Sequence, residues 1–310
     1  MLKFSIIIPT YNREKVINRA LNSVIEQDFR DWEVIVVDDG SKDNTKKVLK
    51  KYLSKYKNIK YFYKKNGGVG SARNYGIDKA IGEYCVFLDS DDTLTRGALS
   101  IINNQIEKFS QHKIFFFAVV DNLGHKMYEI NNNVVKMGIR DCIESKKARG
   151  EFLACVKTSL FIEKKYCFPN NVNGGENILW CNIMRKYKAL YFNKVVRCYY
   201  LDADNSLVRG MLTDRRVKNI LKVNEMMINN FGKEYLKYNR KELGGLYLVI
   251  ARMKALLKLK KESFKYFKMG IMYNKTNIKA IVLYLLSVVD VNYKINNIII
   301  KIVNQCYFKR

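Results

Sequence analysis

The sequence predicts an α/β domain whose mostly parallel sheet is flanked by helices, followed by a basic helical region. Strand-like and helix-like segments alternate four times within the first hundred residues, which is typical of successive βαβ units. The strand-like segments are apolar almost throughout, as strands are when both faces of a parallel sheet are covered. Three of them end in conspicuous polar residues, at the place where α/β sheets bind ligands.

Each element of this first part follows from the spacing of its apolar residues. Short, uninterrupted apolar runs predict strands, and apolar residues three and four positions apart predict helices. Proline and glycine clusters predict where elements end, and the first strand is expected to end at Pro9. The predicted strands span residues 4–8, 32–37, 59–63 and 84–88, and the predicted helices span residues 14–27, 43–56 and 71–81.

The rest of the chain has fewer strand signals and ends in helices. An apolar run with several aromatic residues predicts a strand at residues 190–200, after a helix at residues 178–187. From residue 213 onward the apolar spacing is mostly helical. We therefore expect a first domain of residues 1–210, with halves 1–110 and 111–210, and a helical basic region of residues 211–310.

Composition indicates a globular protein in a reducing compartment. Hydrophobic residues make up 48% of the chain and aromatic residues 13%, which a disordered chain would not contain. The 7 cysteines form no C-x-x-C pair and the 2 histidines lack ligand-like spacing, so neither a zinc site nor a disulfide framework is expected. No signal peptide is recognisable, and no apolar segment reaches the ~20 residues of a membrane span. A cytoplasmic protein is expected.

Positive charge is concentrated in the last third of the chain. The formal net charge is +27, and Lys and Arg exceed Asp and Glu by 15 within residues 211–310. Such a bias indicates an anionic partner: a membrane surface, a nucleic acid or a phosphorylated substrate. Basic amphipathic helices suit peripheral binding at the inner face of a cell membrane. Helices that pack on another domain or subunit share this periodicity, and a solvated basic surface is a further alternative.

The residues after the fourth predicted strand form a candidate metal site. Asp89, Asp91 and Asp92 follow an apolar run directly, where carboxylates repel one another and lose solvation. A cation offsets that cost, and the two aspartates of a D-x-D pattern project to one side of a strand-like backbone. Mg²⁺ and Mn²⁺ prefer such oxygen ligands, with substrate phosphates completing the shell. The alternative is that Asp91 or Asp92 caps the next helix.

Three polar strand ends should lie side by side at one edge of the sheet. They carry Thr10-Tyr11-Asn12, Asp38-Asp39 and Asp89-Ser90-Asp91. The sequence contains neither a G-x-G-x-x-G fingerprint nor a Walker phosphate loop, so a metal and cationic side chains would have to hold any phosphate. Arg73, just after a glycine turn, is a candidate for this task, whereas Lys64 and Lys65 are expected to be solvated.

Together these motifs resemble the start of family 2 glycosyltransferases with the GT-A fold. The resemblance covers residues 4–100 strongly and residues 168–209 more weakly, and its ordered motifs make it specific. The motifs include Ile6-Ile7-Ile8-Pro9-Thr10-Tyr11-Asn12, Val36-Val37-Asp38-Asp39-Gly40-Ser41, Ala72-Arg73-Asn74 and Leu88-Asp89-Ser90-Asp91-Asp92. The resemblance implies transfer of a sugar from a nucleotide-diphosphate donor, expected to be a UDP-sugar, with inversion at the anomeric carbon.

The resemblance also implies roles for residues at matching positions. The nucleoside pocket and the contacts to the base are expected to come from Pro9, Thr10, Tyr11, Asp38 and Asp39. Arg73 is expected to lie by the base and the diphosphate. Asp89 is expected on the ribose or metal side, and Asp91 is expected to bind Mn²⁺ or Mg²⁺, which takes up charge on the departing diphosphate.

A general base is expected from a later segment that resembles the family's Glu-Asp pair at a helix start. Here the pair is Glu176-Asn177. An amide cannot accept a proton at neutral pH, so Glu176 becomes the candidate base. The alternative is that Glu176 only favours the positive end of its helix. Residues 202–209 resemble the loop that closes over the diphosphate, where Arg209 is a candidate phosphate or acceptor contact or an ordinary surface residue.

We therefore expect a metal-dependent hexosyl- or N-acetylhexosaminyl-type transferase in bacterial surface polysaccharide biosynthesis. Its partners would be a nucleotide-sugar donor, a glycan or lipid-linked glycan acceptor and an anionic membrane surface. The first alternative is a non-catalytic relative that binds sugar nucleotides or glycans, which Asn177 favours. The second is a nucleic-acid-binding protein, which the charge favours, although no Cys/His finger or aromatic-basic RNA-binding motif is present.

Overall fold

A computed structural model of the chain describes residues 2–144, 146–162, 166–200 and 212–288. The chain divides into two compact units, Met1–Asp204 and Asn205–Arg310. The described part of the first unit contains a large sheet with flanking helices, and that of the second contains helices. The predicted α/β class with a helical C-terminal region is confirmed.

A mixed sheet forms the centre of the first unit. The strands are β1 (Phe4–Thr10), β2 (Trp32–Asp38), β3 (Ile59–Tyr63), β4 (Tyr84–Phe87), β5 (Thr93–Leu94), β6 (Ile114–Asp121), β7 (Tyr128–Ile130), β8 (Val134–Met137), β9 (Ala148–Gly150), β10 (Phe152–Lys157) and β11 (Ala189–Tyr199). Among the described residues the sheet runs β3-β2-β1-β4-β10-β6-β11-β5, with β8 beside β11, while β7 and β9 pair separately. The neighbouring strands β3, β2, β1 and β4 run parallel to one another. β10 is antiparallel to its neighbours β4 and β6.

Helices cover both faces of this sheet. They are α1 (Ile17–Ile25), α2 (Thr45–Lys55), α3 (Val69–Lys79), α4 (Ala98–Lys108), α5 (Ile139–Glu144), α6 (Ser159–Ile162) and α7 (Glu176–Met184). Alternate side chains of β1 point to opposite faces, so Ile6 and Ile8 join one apolar core and Ile7 joins the other. Because both faces are buried, the strands can be apolar throughout, which is the pattern that predicted them.

The first strand is longer than predicted, because Pro9 does not end it. β1 pairs with β2 as far as Thr10 opposite Asp38, whereas its pairing with β4 ends at Ile7 opposite Phe87. The Leu88 N–H donates to the Ile7 carbonyl, so alternate residues starting from Ile7 face β4. Pro9 faces β4 at a point where the pairing of β1 with β4 has already stopped. Its missing N–H therefore leaves no strand-pairing bond unmade.

The first two helices begin later than predicted, at Ile17 and Thr45. The backbone N–H groups of residues 12–14 donate instead to side chains of residues 41–45. Asn12 donates to Ser41 Oγ at 2.9 Å, Arg13 to Thr45 Oγ1 at 2.9 Å and Glu14 to Asp43 Oδ2 at 3.0 Å. These bonds join the loops that follow β1 and β2, and they satisfy backbone donors that lie before the first turn of α1.

The second unit contains the helices α8 (Asp214–Tyr238), α9 (Arg240–Leu256), α10 (Lys260–Tyr273) and α11 (Ile278–Val288). α9 packs against the other three. Thr213 and Asn239 cap α8 and α9, since each side chain accepts a hydrogen bond from a backbone N–H of the first turn. In the described part of the chain, no helix has both the length and the apolar character that crossing a membrane requires.

Candidate active site

The carboxyl ends of β2, β1 and β4 meet at one edge of the sheet, as the polar strand ends predicted. The three strands are neighbours in this order, and the Asp39 N–H donates to the Thr10 carbonyl at 2.8 Å. Asp38 ends β2 and Asp39 follows it, and the aspartates from Asp89 onward follow β4. The parallel order of the strands therefore collects residues as far apart in the sequence as Thr10 and Asp92.

Asp38 and Asp39 are both buried and bind groups of the chain itself. Asp38 accepts hydrogen bonds from the Ser41 N–H at 2.7 Å and the Tyr61 hydroxyl at 2.8 Å. Burial, together with this bond to Asp38, raises the pKa of Tyr61. Asp38 thus fixes the turn after β2 and connects the end of β2 to the Tyr61 side chain of β3.

Asp39 organises the turn before α3. Its carboxylate accepts from the N–H groups of Gly67 and Gly68 at 2.9 and 2.7 Å, and it contacts Lys64 Nζ at 2.6 Å. The expectation that Lys64 is solvated is therefore wrong, because its ammonium compensates a buried carboxylate. Lys65 is exposed, as expected.

The residues predicted to line a nucleoside pocket differ in burial. Pro9 and Thr10 are buried at the end of β1, whereas 42% of Tyr11 is exposed. The Thr10 hydroxyl has no hydrogen-bond partner among the described residues. A buried hydroxyl without a partner costs free energy, so a ligand with a polar group there would be favoured.

The D-x-D aspartates lie in a turn beyond the end of β4, not in a strand-like backbone as expected. Their carboxylates face three arginines. Asp89 contacts Arg73 Nη2 at 2.8 Å and Arg197 Nη1 at 3.6 Å, and Asp91 contacts Arg13 Nη2 at 3.6 Å.

Asp92 is completely buried, and its carboxylate lies 3.3 Å from Arg197 Nε. It also accepts a hydrogen bond from the Tyr200 N–H at 3.1 Å. The alternative that an aspartate caps the next helix is wrong, because Gly97 precedes α4 and no side chain caps it.

The three aspartates differ in how easily they ionise. Burial would raise the pKa of Asp89, but the nearby Arg73 and Arg197 outweigh it and lower that pKa. Burial and then repulsion from Asp89 raise the pKa of Asp91. Burial raises the pKa of Asp92 to about 7, although Arg197 opposes the shift. An added cation would relieve the repulsion that Asp91 experiences.

The donor set at this edge suits a hard divalent cation that also binds substrate. Asp89 and Asp91 offer carboxylate oxygens with 33% and 22% of their side chains exposed. Within the described residues, no three His, Cys, Asp or Glu side chains form a ready-made metal cluster. Mg²⁺ and Mn²⁺ commonly bind through one or two carboxylates, with phosphates and water completing the shell. The residues present fit that pattern.

Glu176 and Asp89 bind the same guanidinium. Glu176 is the first residue of α7, and its Oε1 lies 2.7 Å from Arg73 Nη1, while Asp89 binds Nη2 of that side chain. Arg73 is only 8% exposed. The fold therefore places the candidate base and the D-x-D motif on opposite sides of one arginine side chain, which binds both. Asn177, the next residue of α7, is exposed.

Sequence reasoning missed two arginines of this cluster, Arg13 and Arg197. Arg197 lies in β11, where it is 6% exposed and also contacts Glu151 at 3.4 Å. A lone arginine inside an apolar strand was an available signal, because a buried cation requires a carboxylate partner. Arg13 gave no comparable signal. Arg209 and the predicted closing loop lie outside the described residues.

Known proteins resemble this chain in sequence and in structure. Residues 5–153 match the family model described as glycosyl transferase family 2. The GalNAc(5)-diNAcBac-PP-undecaprenol beta-1,3-glucosyltransferase of Campylobacter jejuni is 30% identical over 300 residues, which cover 94% of this chain and 95% of that protein. The poly(ribitol-phosphate) beta-N-acetylglucosaminyltransferase TarS of Staphylococcus aureus is 43% identical over 102 residues, or 32% of this chain and 18% of that protein.

A solved structure resembles the chain over most of its length. The crystal structure of TarS residues 1–349 in complex with UDP-GlcNAc matches with a TM-score of 0.61 at 19% identity. The match covers 87% of this chain and 90% of that one. At this identity the likeness shows a common fold.

Proposed function

Because the chain belongs to glycosyl transferase family 2 and has its GT-A fold, we propose that it transfers a sugar from a UDP-sugar to a glycan or lipid-linked glycan of a bacterial surface. One observation carries the proposal. The strand ends with Asp39, Asp89 and Asp91 meet at one sheet edge, where Arg73 links Asp89 to Glu176. Such an edge can hold a nucleotide, a diphosphate and a reacting sugar.

The relatives support the proposed classes of donor and acceptor. The Campylobacter relative is named a glucosyltransferase for an acceptor linked to undecaprenol through PP, and TarS is named an N-acetylglucosaminyltransferase for poly(ribitol-phosphate). We take UDP-glucose and UDP-N-acetylglucosamine as the first candidate donors. Both named acceptors contain phosphate, and the net charge of +27 attracts anions of this kind.

Asp91 and Asp89 would hold Mn²⁺ or Mg²⁺ in this proposal. When bound, the cation supplies positive charge where negative charge develops on the departing diphosphate. Arg73 is close enough to add a second positive group, since its guanidinium already binds Asp89. Thr10 and Tyr11 would contact the nucleoside, and the turn held by Asp38 and Asp39 would border the base.

Glu176 would act as the general base. In an inverting transfer, the acceptor oxygen bonds to the anomeric carbon while the bond from that carbon to the diphosphate oxygen breaks. The hydroxyl proton passes to a Glu176 carboxylate oxygen. Two observations support this role: 35% of the Glu176 side chain is exposed, and it shares Arg73 with Asp89. Asn177 cannot accept the proton.

We further infer that the second unit binds an anionic membrane surface. α11 exposes an apolar stripe of Ile278, Val282, Leu285 and Val288 at helical spacing. α10 exposes Phe264 and Met272 in a sequence rich in lysine. Exposed apolar side chains beside cations favour the boundary between lipid headgroups and acyl chains. A lipid-linked acceptor would be found at such a surface.

A thermal-shift screen tests the proposed function without knowledge of the acceptor. A ligand that binds only the folded protein raises its melting temperature by mass action. UDP, UDP-glucose and UDP-N-acetylglucosamine should each raise it in the presence of Mn²⁺, and by less after chelation. ADP-glucose and GDP-mannose serve as controls for the base. No shift with any of the uridine nucleotides would contradict the proposal.

A further inference from the structure

Asn74 makes an unusual contact that the proposed mechanism does not use. It lies on α3 next to Arg73, and its side-chain amide binds both backbone polar groups of Phe168. Nδ2 donates to the Phe168 carbonyl at 2.9 Å, and the Phe168 N–H donates to Oδ1 at 2.8 Å. The amide thus pairs with Phe168 as a neighbouring β-strand residue would. No other residue type of this size offers both a donor and an acceptor in this arrangement.

The contact reaches a long way along the sequence and holds a loop that leads to Glu176. Phe168 is ninety-four residues after Asn74 and eight before Glu176. The same Nδ2 also contacts Asn170 Oδ1 at 3.2 Å. We name residues 168–175 the base loop. It contains Gly174 and Gly175, which adopt φ values of 81° and 83° that favour glycine. A loop of this kind needs external bonds to define its position.

Close backbone packing adds to the bond from Asn74. A Cβ atom on Gly70 of α3 would lie 2.5 Å from the Pro169 carbonyl oxygen, so only glycine permits this approach. A Cβ atom on Gly68 would lie 3.2 Å from Asn173 Oδ1. The start of α3 therefore touches the base loop at its beginning and near its end.

The side chain of Phe168 carries the constraint on to α7. Phe168 is 1% exposed, and its ring lies 5.4 Å from the Trp180 ring, edge to face. It also lies 5.1 Å from the Phe87 ring at the end of β4, and the Arg73 guanidinium lies 5.2 Å above it. Trp180 is four residues after Glu176, so both project from the same side of α7. Phe168 thus connects the strand before the D-x-D motif to the helix of the candidate base.

We propose that Asn74 is a positioning residue that fixes the base loop, and through it Glu176, relative to Asp89. This inference rests on the proposed function, because it assigns the fixed residue the role of base. Arg73 alone does not suffice for this task. Asp89 and Glu176 are both held by the Arg73 guanidinium, and a donor diphosphate would compete with them for it. Asn74 binds only uncharged groups here, the Phe168 backbone and the Asn170 side-chain oxygen, so its constraint persists when the charges around Arg73 change.

Hydrogen–deuterium exchange tests the structural part of the proposal independently of any activity. In Asn74→Ala the Phe168 N–H loses its acceptor, so exchange in peptides spanning residues 166–178 should accelerate by about tenfold. Asn58→Ala is the matched control, since Asn58 also donates to a backbone carbonyl, that of Trp32 at 3.3 Å. It should leave exchange at residues 166–178 unchanged. Equal protection in Asn74→Ala and the wild type would overturn the proposal.

Kinetics with the wild-type protein as reference tests the functional part. The assay measures UDP release from UDP-glucose and UDP-N-acetylglucosamine with Mn²⁺. Asn74→Ala should lower kcat by about 10²-fold, because small displacements of the reacting groups slow the reaction strongly. KM for the donor should change by less than about threefold, since donor binding does not need the base. Asn74→Asp keeps the acceptor for the Phe168 N–H but loses the donor, so its loss should be intermediate.

The two parts fail in different ways. If the wild type neither binds UDP nor releases it from either nucleotide sugar, the proposed function is wrong, and faster exchange at residues 166–178 in Asn74→Ala would still establish the loop contact. If the wild type is active and Asn74→Ala keeps its kcat, the positioning role is wrong. A rise in KM without a fall in kcat would likewise overturn it, because Asn74 would then serve the donor and not the base.

Discussion

At the scale of single residues, the charges of the site converge on Arg73. Its guanidinium binds Asp89 and Glu176 at 2.8 and 2.7 Å and is almost completely buried. Ion pairs in such a setting are screened less than at the surface. We expect a donor diphosphate to compete with both carboxylates for this guanidinium. Donor binding would then free Glu176 from its ion pair before the proton transfer that we propose for it.

Replacing Asp91 with asparagine should weaken Mn²⁺-dependent UDP binding and also stabilise the free protein. The pKa of Asp91 is raised by burial and by Asp89, so at neutral pH its ionised carboxylate destabilises the folded state. Asparagine removes that charge. Calorimetry should show a loss of UDP affinity of more than about tenfold, as expected for a metal site that loses a ligand. Thermal unfolding without metal should give an unchanged or higher melting temperature.

Asp78→Asn is the matched control for this experiment. It removes an exposed carboxylate of α3 and should change neither UDP affinity nor the melting temperature. Unchanged UDP affinity in Asp91→Asn would remove Asp91 from the metal site. A lower melting temperature would show that its ion pair with Arg13, at 3.6 Å, matters more than its burial.

Replacing Glu176 with glutamine should abolish most transfer and leave donor binding intact. Glutamine keeps the size of the side chain and an oxygen for Arg73, but it cannot accept the proton. Transfer should fall by roughly 10² to 10⁴. Rates are measured by product formation, and donor affinity by calorimetry with UDP. If transfer persists and Asn177→Asp increases it, Glu176 serves only the helix start.

The sequence predicted much of this site because the motifs follow strands. Parallel strands place their carboxyl ends together, so Thr10, Asp39 and Asp89 could be expected at one edge without a structure. The partners of these residues could not be predicted in the same way. Arg197 reaches Asp92 from a strand more than a hundred residues later, and such pairings depend on sheet order, which local patterns do not contain. Lys64 was expected in solvent because nothing local showed that Asp39 would be buried.

At the scale of elements, α3 connects the base loop to the central sheet. Its start packs against the base loop, and its later part packs on the sheet through Gly76. A Cβ atom on Gly76 would lie 2.6 Å from Ile7 Cγ2 and 3.3 Å from Val37 Cγ2. The helix can therefore approach β1 and β2 only because this residue has no side chain.

Gly76→Ala should destabilise the protein by about 1–3 kcal/mol, because the added methyl overpacks the contact between α3 and the sheet. Gly232→Ala is the contrasting change, in the interior of α8. Its Cβ atom would meet Ile228 Cγ2 at an ordinary 3.7 Å, so the better helix propensity of alanine should stabilise by up to about 1 kcal/mol. Urea unfolding measures both. Equal effects of the two substitutions would contradict the packing described for α3.

Element boundaries show what local patterns leave out. Helix spacing from residue 14 onward predicted an early start of α1, yet the N–H groups of residues 12–14 bind side chains from the loop after β2. Pro9 predicted an end of β1 that is two residues too early. The strand continues to Thr10, because the missing N–H of Pro9 faces the side on which β4 has stopped pairing. In both cases contacts between distant segments override a correct local preference.

At the scale of the whole molecule, charge and exposed apolar surface occur together in the second unit. The protein should float with vesicles that contain phosphatidylglycerol at low salt and be released at high salt, because screening weakens its attraction to anionic headgroups. Vesicles of phosphatidylcholine alone should bind little. The absence of flotation at low salt would leave the charge as a solvated surface or a protein interface.

A pair of charge-reversal variants separates the second unit from net charge in general. Lys260→Glu with Lys261→Glu changes two exposed lysines at the start of α10, and Lys46→Glu with Lys47→Glu makes the same change on α2. The first variant should bind anionic vesicles more weakly than the second. Equal losses would show that only the total charge of the chain matters.

The measurement that tests the central claim most directly is turnover of UDP-glucose and UDP-N-acetylglucosamine. UDP release is assayed by mass spectrometry with bacterial lipid-linked and polymeric glycans as acceptors, in Mn²⁺ and after chelation. We predict that acceptor accelerates UDP release, that chelation abolishes it and that Glu176→Gln retains UDP binding without release. Nucleotide sugars that stay intact under every condition, with UDP bound equally well in Mn²⁺ and after chelation, would contradict a metal-dependent transferase.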